Sequence, residues 1–149
     1  MNKEKYIKLI GTFFYSGYLP KAPGTWGSLA TLPLIFILKS DTLYVSVMVL
    51  LFFVGRYAAH QMAQELGVED PKHVVIDEVV GMMMAMFTIH VSLFTIVLGF
   101  GLFRLFDITK PWIIRKVERY PNGYGIMLDD IIAGVFANVI LQCIVMGMK

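Results

Sequence analysis

Four long uncharged runs dominate the pattern of apolar and polar positions along the chain. They extend over residues 22–38, 42–55, 79–103 and 131–148. A helix needs about 20 apolar residues to cross the hydrocarbon core of a bilayer, so the second run, with 14 residues, is short for a full span. The third run is long enough to cross once, but its polar interruption at His90-Val91-Ser92 also allows two short helices.

Positive charges indicate which ends of these runs lie together. Of the 13 lysines and arginines, all except Lys39 and Lys149 fall within residues 3–21, 56–72 and 104–119. Placing these three stretches on one side of a membrane gives a count of 11 against 2, and the positive-inside rule makes that side cytoplasmic. The ends of the helices that carry these charges are therefore expected to face the cytoplasm.

This placement requires the chain to turn back twice, once near Lys39-Ser40-Asp41 and once near His90. The fold prediction is a single all-α domain over residues 1–149. It is a compact helical membrane protein with two short helical hairpins plus a C-terminal transmembrane helix, which begins at Ile131. Residues 56–67 are rich in helix formers and end in a glycine, so they are expected to form a separate amphipathic helix at the cytoplasmic surface.

A second surface helix is predicted after Pro111-Trp112. Arg115, Lys116 and Arg119 could meet anionic lipid headgroups there, with Trp112 at the boundary, or form a solvated basic face. The N-terminus is basic but has no small-residue cleavage site, so no removable signal peptide is expected.

Composition agrees with a membrane protein and excludes several other classes. The chain is 57% hydrophobic and 16% charged, with a mean hydropathy of +0.68, whereas soluble domains are about 25% charged. A net charge of +2 and aromatic residues that lie among aliphatic ones argue against nucleic acid as a partner. The single cysteine, Cys143, can form no internal disulfide and is expected to be a small core residue.

Two adjacent pairs of acidic residues stand directly before apolar runs: Asp77-Glu78 and Asp129-Asp130. One acid per helix is explained by capping and by the helix dipole. Adjacent pairs at a membrane boundary are explained less well, because each carboxylate costs desolvation and like charges repel. A hard divalent cation would relieve both costs, and the small residues Gly81, Ala133 and Gly134 would let the two helices approach closely enough to share it.

Two further segments could bind an anion. Arg104, Asp107 and Lys110 recur at three-residue spacing on one helix face, which suits a phosphate near a metal or a simple salt-bridge ladder. The segment 18–28 contains Gly24 and Gly27 before a helix start, and it could offer N–H groups and hydroxyls to an anion or form only a turn.

Known phosphoryl-transfer signatures are absent from the sequence. It has no P-loop, no Asp-x-Asp pair for an aspartyl phosphate, and no arginine after Cys143 for a thiolate phosphatase. His73, four residues before Asp77, could assist proton transfer or be an ordinary turn histidine. The chemistry that remains is direct attack by metal-activated water.

Four motifs in this order resemble those of the phosphatidylglycerophosphatase A family. They are Pro23-Gly24-Thr25-Trp26-Gly27-Ser28, Ile76-Asp77-Glu78-Val79-Val80-Gly81, Phe103-Arg104-Leu105-Phe106-Asp107-Ile108-Thr109-Lys110-Pro111, and the segment from Gly123 through Asp129-Asp130 to Gly134. The resemblance implies an all-helical, Mg²⁺-dependent phosphatase of the bacterial cytoplasmic (inner) membrane, with its active site expected to face the cytoplasm. Its substrate is the phospholipid phosphatidylglycerophosphate, which it converts to phosphatidylglycerol.

The resemblance also implies roles for individual residues. The expected Mg²⁺ ligands are Asp77, Glu78, Asp129 and Asp130, with Asp107 as a further catalytic carboxylate that either binds the metal or orients Lys110. The expected phosphate-binding residues are Arg104, Lys110, Thr25, Ser28 and Lys21. Two alternatives stay open at this stage: an enzyme similar to the CDP-alcohol phosphotransferases, and a membrane scaffold subunit without catalytic activity. The sequence also leaves the oligomeric state open, a homo-oligomer included.

Overall fold

A computed structural model describes residues 3–148 of the protein, and every element in that part of the chain is helical. The α-helices are α1 (Lys3–Gly11), α2 (Pro23–Ala30), α3 (Leu32–Ile37), α4 (Asp41–Leu66), α5 (Ile76–Met86), α6 (Leu93–Thr109), α7 (Trp112–Val117) and α8 (Tyr124–Gly147). A 3₁₀ turn at Ser16–Tyr18 lies between α1 and α2. The predicted all-α class is confirmed.

Both predicted hairpins are present. In the first, α2 starts beside Glu78, the chain turns at residues 38–40 near the turn of the second hairpin, and α4 runs back so that Gly55 contacts Ile76. The second consists of α5 and α6, joined by residues 87–92. Its turn is closed by a capping box, in which the Ser92 side chain accepts a hydrogen bond from the Thr95 amide while the Thr95 hydroxyl accepts one from the Ser92 amide. The cap satisfies backbone groups that a helix start otherwise leaves unpaired, so this polar break begins α6.

The predicted boundary at Gly55 is wrong, because residues 42–55 and 56–67 belong to one helix, α4. Gly55 is buried in the middle of α4. A Cβ at this position would lie 2.7 Å from Ile76 Cγ1, so the glycine serves close packing and not helix termination. α4 ends at Leu66, and the predicted glycine stop is confirmed, because its C-cap Gly67 has a φ of 66°, a left-handed conformation that glycine adopts at low cost.

The C-terminal helix is longer than predicted at its start. α8 begins at Tyr124, after Gly123 with a φ of 77°, and not at Ile131. Asp129 and Asp130 therefore lie inside the helix, beyond its first turn. With 26 and 24 residues, α4 and α8 are both long and apolar enough to cross a membrane.

Close packing of α5 against α8 brings the two acidic pairs together. α5 is buried along most of its length and contacts α8, α4, α2 and α6. A Cβ on Gly81 would lie 2.7 Å from the carbonyl oxygen of Asp130, and a Cβ on Gly134 would collide with the carbonyl oxygen of Gly81. The prediction that small residues let these two helices approach is confirmed.

Large apolar side chains cover much of the outer surface of the long helices. Examples are Leu50 and Phe53 on α4, Val97 on α6 and Val139 on α8, all of which are exposed. An apolar exterior is what a lipid environment requires.

Cys143 is also exposed on α8, so the prediction of a core position was wrong. The outer face of a membrane helix is as apolar as its buried face, and the sequence around Cys143 does not distinguish the two.

Candidate active site

A cavity of about 380 Å³ opens at the end of the molecule where α5 starts, α6 ends and the acidic turn of α8 lies. It is formed by the loop before α5, the start of α5, the end of α6, the α7 region and the start of α8. Its charged lining residues are Glu69, Asp70, Lys72, Asp77, Glu78, Asp107, Lys110, Arg115, Glu118, Arg119, Asp129 and Asp130. The cavity thus combines many carboxylates with several cations.

Three carboxylates meet at the inner wall of this cavity. Asp77, Glu78 and Asp130 each present an oxygen, and these oxygens lie within 4.8 Å of one another. Asp77 is 8% exposed and Asp130 is 2% exposed. We call these three residues the acidic cluster.

The acidic cluster lacks the partners that buried carboxylates need. Asp77 Oδ1, Glu78 Oε2 and Asp130 Oδ2 are buried and have no hydrogen-bond partner among residues 3–148. Burial, together with the neighbouring acidic groups, raises the pKa of both Asp77 and Glu78 above their usual values. A buried unpaired carboxylate is costly unless it is neutralised. Carboxylate oxygens are the ligands that hard divalent cations prefer, so the donor set of the cluster fits a metal ion.

Helix capping does not explain these acids. Asp77 and Glu78 lie in the first turn of α5, but the cap residue of that helix is Val75, which makes no side-chain cap. Asp129 and Asp130 lie beyond the first turn of α8, where no free amides need a capping group. Side-chain capping therefore explains neither pair, and the helix dipole accounts only for the acids in the first turn of α5.

Asp129, the fourth predicted ligand, lies beside the acidic cluster and has other partners. Its Oδ2 accepts a hydrogen bond from Lys110 Nζ at 2.8 Å, and its Oδ1 accepts one from the Asp130 amide at 3.0 Å. Lys110 Nζ also donates to Glu118 Oε1 at 2.6 Å. Although burial alone would lower the pKa of Lys110, its hydrogen bonds with Asp129 and Glu118 raise that pKa above its usual value. The lysine is therefore held as a cation at the cavity wall.

Arg104 and Asp107 form an ion pair on α6. Arg104 Nη1 also lies 3.9 Å from Glu78 Oε1, so this arginine connects α6 with the acidic cluster. Of the two predicted roles for Asp107, orienting Lys110 is contradicted, because its cationic partner is Arg104 and the partners of Lys110 are Asp129 and Glu118. The three-residue spacing indicated a shared face, but Lys110 ends α6 with a φ of 42°, which turns the chain away from that face.

The backbone at the start of α2 lies close to Glu78 and Arg104. A Cβ on Gly24 would collide with Glu78 Oε1 and lie 2.9 Å from Arg104 Nη1. Ser28 is fully buried, and its hydroxyl donates to the carbonyl oxygen of Gly24, so this hydroxyl is occupied within α2. Thr25 is half-buried and Lys21 is exposed, and both lie outside the cavity lining.

His73 lies outside the acidic cavity lining as well. Its Nδ1 is 3.0 Å from the carbonyl oxygen of Gly17, and its ring packs against Tyr18 at 4.8 Å between centroids. These contacts join the loop before α5 to the 3₁₀ turn. The interpretation as a turn histidine agrees with this position.

Sequence reasoning missed several residues of the cavity. Glu118, the second carboxylate that accepts a hydrogen bond from Lys110, belongs to none of the motifs and lies just beyond α7. Lys72 and the neighbouring acids belong to a loop whose sequence predicts only a turn. Arg115 and Arg119 were noticed as surface charges, but nothing in the sequence placed them at the mouth of the acidic cavity. Only the packing of α7 on α8 brings them there.

The fold and site together define an all-helical membrane protein with a buried carboxylate cluster, flanked by lysine and arginine, at one end of its helices. The family model for phosphatidylglycerophosphatase A matches residues 9–145. The chain belongs to this family, whose name denotes a phosphoric monoester hydrolase, and the resemblance of the four motifs is confirmed.

Curated relatives cover most of the chain. It is 39% identical over 140 residues to the phosphatidylglycerophosphatase A of Escherichia coli, which covers 91% of this chain and 81% of the relative. It is 38% identical over 143 residues to the protein of the same name from Haemophilus influenzae, covering 93% and 88%. A Bacteroides thetaiotaomicron protein named "Putative phosphatidylinositol-3-phosphatase" is 38% identical over 143 residues, covering 89% of each chain. No solved structure gives a significant match.

Proposed function

We propose that this protein is a Mg²⁺-dependent phosphatase that hydrolyses the terminal phosphomonoester of phosphatidylglycerophosphate to give phosphatidylglycerol. Family membership supports the reaction and the substrate. The observation that carries the proposal is the set of three buried, unpartnered carboxylate oxygens beside Arg104 and Lys110. Such a site suits a cation and a phosphate group bound side by side.

Asp77, Glu78 and Asp130 are the residues that would hold the ion. A hard divalent cation such as Mg²⁺ binds carboxylate oxygens, lowers the pKa of water and withdraws charge from phosphoryl oxygens. Asp129 is better suited to a different task, since it already accepts hydrogen bonds from Lys110 and from its own helix. We assign Asp129 to positioning Lys110.

Lys110 and Arg104 would stabilise the negative charge on the phosphoryl group. Preorganised cations help most when carboxylates fix them before substrate arrives. Asp129 and Glu118 hold Lys110 from two sides, and Asp107 holds Arg104. The phosphate would then meet two positive groups whose positions need no rearrangement.

The two alternatives from the sequence have less support. A CDP-alcohol phosphotransferase needs further aspartates along the helix after Asp130, and residues 131–149 contain no acidic residue. A scaffold subunit needs no buried carboxylates without partners. The name of the Bacteroides relative favours one other lipid substrate, phosphatidylinositol 3-phosphate, which also carries a terminal phosphomonoester.

Purified protein in neutral detergent tests this proposal directly. With Mg²⁺ it should release inorganic phosphate from phosphatidylglycerophosphate, and EDTA should abolish the release. Phosphatidylinositol 3-phosphate and phosphatidic acid serve as competing substrates. Release that is unaffected by EDTA would overturn the metal assignment, and faster release from phosphatidylinositol 3-phosphate than from phosphatidylglycerophosphate would overturn the substrate assignment.

We further propose that the cavity faces the cytoplasm, as the positive-inside rule requires. Cysteines introduced at Lys72, beside the cavity, and at Lys39, in the turn of the first hairpin, should then label differently in a Cys143→Ser background. A membrane-impermeant thiol reagent applied to intact cells should modify position 39 and leave position 72 unmodified until the cells are opened. Labelling of position 72 in intact cells would contradict this topology.

A further inference from the structure

We propose that Lys72, Arg115 and Arg119 form a second anion-binding subsite at the mouth of the cavity, which binds the phosphodiester of the lipid substrate. This inference rests on the proposed function, since it assumes a lipid whose terminal phosphomonoester is bound at the acidic cluster. We call the three residues the rim cations.

The rim cations differ from the inner cations in their partners. Arg104 is paired with Asp107 and approaches Glu78, and Lys110 is paired with two carboxylates. Within residues 3–148, no side-chain hydrogen bond or ion pair involves any rim cation, although all three line a cavity rich in carboxylates. Their donor groups therefore share no carboxylate within these residues and are free to bind a second anion, whereas Arg104 and Lys110 are positioned by carboxylates for the phosphomonoester.

The rim cations come from two separate segments that meet at one opening. Lys72 belongs to the loop between α4 and α5, Arg115 lies on α7, and Arg119 lies two residues beyond the end of that helix. All three are exposed. Guanidinium groups bind phosphate through paired N–H donors, and an ammonium group adds a mobile positive charge. The chemistry of the set fits a phosphate at the mouth of the cavity.

The proposed substrate carries such a phosphate. In phosphatidylglycerophosphate, a phosphodiester joins the diacylglycerol to the glycerol that bears the terminal phosphomonoester. When the monoester lies at the acidic cluster inside the cavity, the rest of the lipid leaves through the cavity mouth, and the diester is the first charged group on that path. Trp112, 82% exposed on α7, is typical of residues at a membrane surface. Phosphatidylinositol 3-phosphate has the same order of groups, whereas phosphatidic acid lacks the diester.

Lys116 provides a matched control for this proposal. It lies on α7 beside Arg115 and is also exposed and positive, but it lies over the Trp112 ring at 5.8 Å and outside the cavity lining. A general attraction of α7 to anionic lipid would involve Lys116 as much as Arg115. A phosphodiester subsite in the cavity would not.

The test compares Arg115→Gln/Arg119→Gln with Lys116→Gln in neutral detergent micelles with Mg²⁺. The double variant should raise the KM for phosphatidylglycerophosphate at least tenfold and change kcat less than threefold. The inhibition constant of inorganic phosphate, which probes the monoester site alone, should stay within twofold. Lys116→Gln should leave all three values within twofold of wild type.

Several results would overturn the subsite. They are an unchanged KM in the double variant, an equal rise in the inhibition constant of phosphate, or the same rise in KM for Lys116→Gln. A rise in KM seen only on anionic vesicles would show that the arginines serve the membrane surface and would equally overturn it. Failure of the wild-type protein to hydrolyse phosphatidylglycerophosphate is a separate result, since it refutes the proposed function itself.

Discussion

Asp130→Asn is expected to lower phosphatase activity at least a hundredfold while the protein still folds and inserts. Asparagine keeps the size of the side chain but removes the negative charge from the acidic cluster, where three carboxylates lie within reach of one ion. A hard-cation site that loses an anionic ligand binds and positions its metal poorly. Glu78→Gln is expected to have the same effect for the same reason.

The assay is phosphate release from phosphatidylglycerophosphate by variants that remain monodisperse in detergent. Asp41→Asn is the matched control, because Asp41, like Glu78, is an acid in the first turn of its helix but is exposed at the turn of the first hairpin. It should keep wild-type activity. Retention of more than about a tenth of wild-type activity by Asp130→Asn or Glu78→Gln, roughly 1.4 kcal/mol in the barrier, would remove that residue from the proposed ligands.

Lys110→Ala is expected to lower kcat about a hundredfold, the size of effect seen when one preorganised donor to a developing anion is lost. Mg²⁺ dependence should change little, because Lys110 contacts Asp129 and Glu118 and not the acidic cluster. Kinetics on the phospholipid over a range of Mg²⁺ concentrations would measure both quantities.

The neighbouring variants make this expectation specific. Asp129→Asn should reduce kcat less than Asp130→Asn and should leave the Mg²⁺ concentration for half-maximal activity near that of wild type. Lys39→Ala, a change of an exposed lysine in the first hairpin turn, should have no effect. Near-normal turnover of Lys110→Ala would show that its ion pairs serve only structure.

Much of the fold could be predicted from the sequence, because a segment that lies in lipid is apolar and helical and its ends are marked by polar residues. Charged interruptions at residue 39 and polar ones near residue 90 marked both hairpin turns. The wrong helix boundary was predicted at a position where no polar or charged residue marks a change in structure. Gly55 resembles a helix end, yet it is a point of close packing against Ile76, and the contact partner that makes the difference is 21 residues away along the chain.

The acidic cluster could also be predicted in large part. Adjacent acids before apolar runs pointed to Asp77, Glu78 and Asp130, and small residues explained how two helices could bring them together. The separate position of Asp129 could not be predicted, because two neighbouring residues on a helix point in directions about 100° apart. Which of the two faces the cluster depends on how α8 packs against α5, where Gly134 lies against the carbonyl group of Gly81.

The rim of the cavity lay beyond sequence reasoning for a different reason. A surface arginine on a short helix has the same sequence signature whether it faces water, lipid headgroups or a cavity. The packing of α7 against α8 places Arg115 at the cavity. Paired partners, such as Glu118 on Lys110, likewise depend on contacts between separate segments.

Binding of Mn²⁺ to the purified protein, followed by electron paramagnetic resonance with Mg²⁺ as competitor, tests most directly whether the acidic cluster is a metal site. The wild-type protein should show saturable binding that Mg²⁺ displaces. The triple variant Asp77→Asn/Glu78→Gln/Asp130→Asn, folded and monodisperse, should lose that binding, whereas Asp41→Asn should retain it. Equal Mn²⁺ binding by the triple variant and the wild type would contradict a metal site at this cluster.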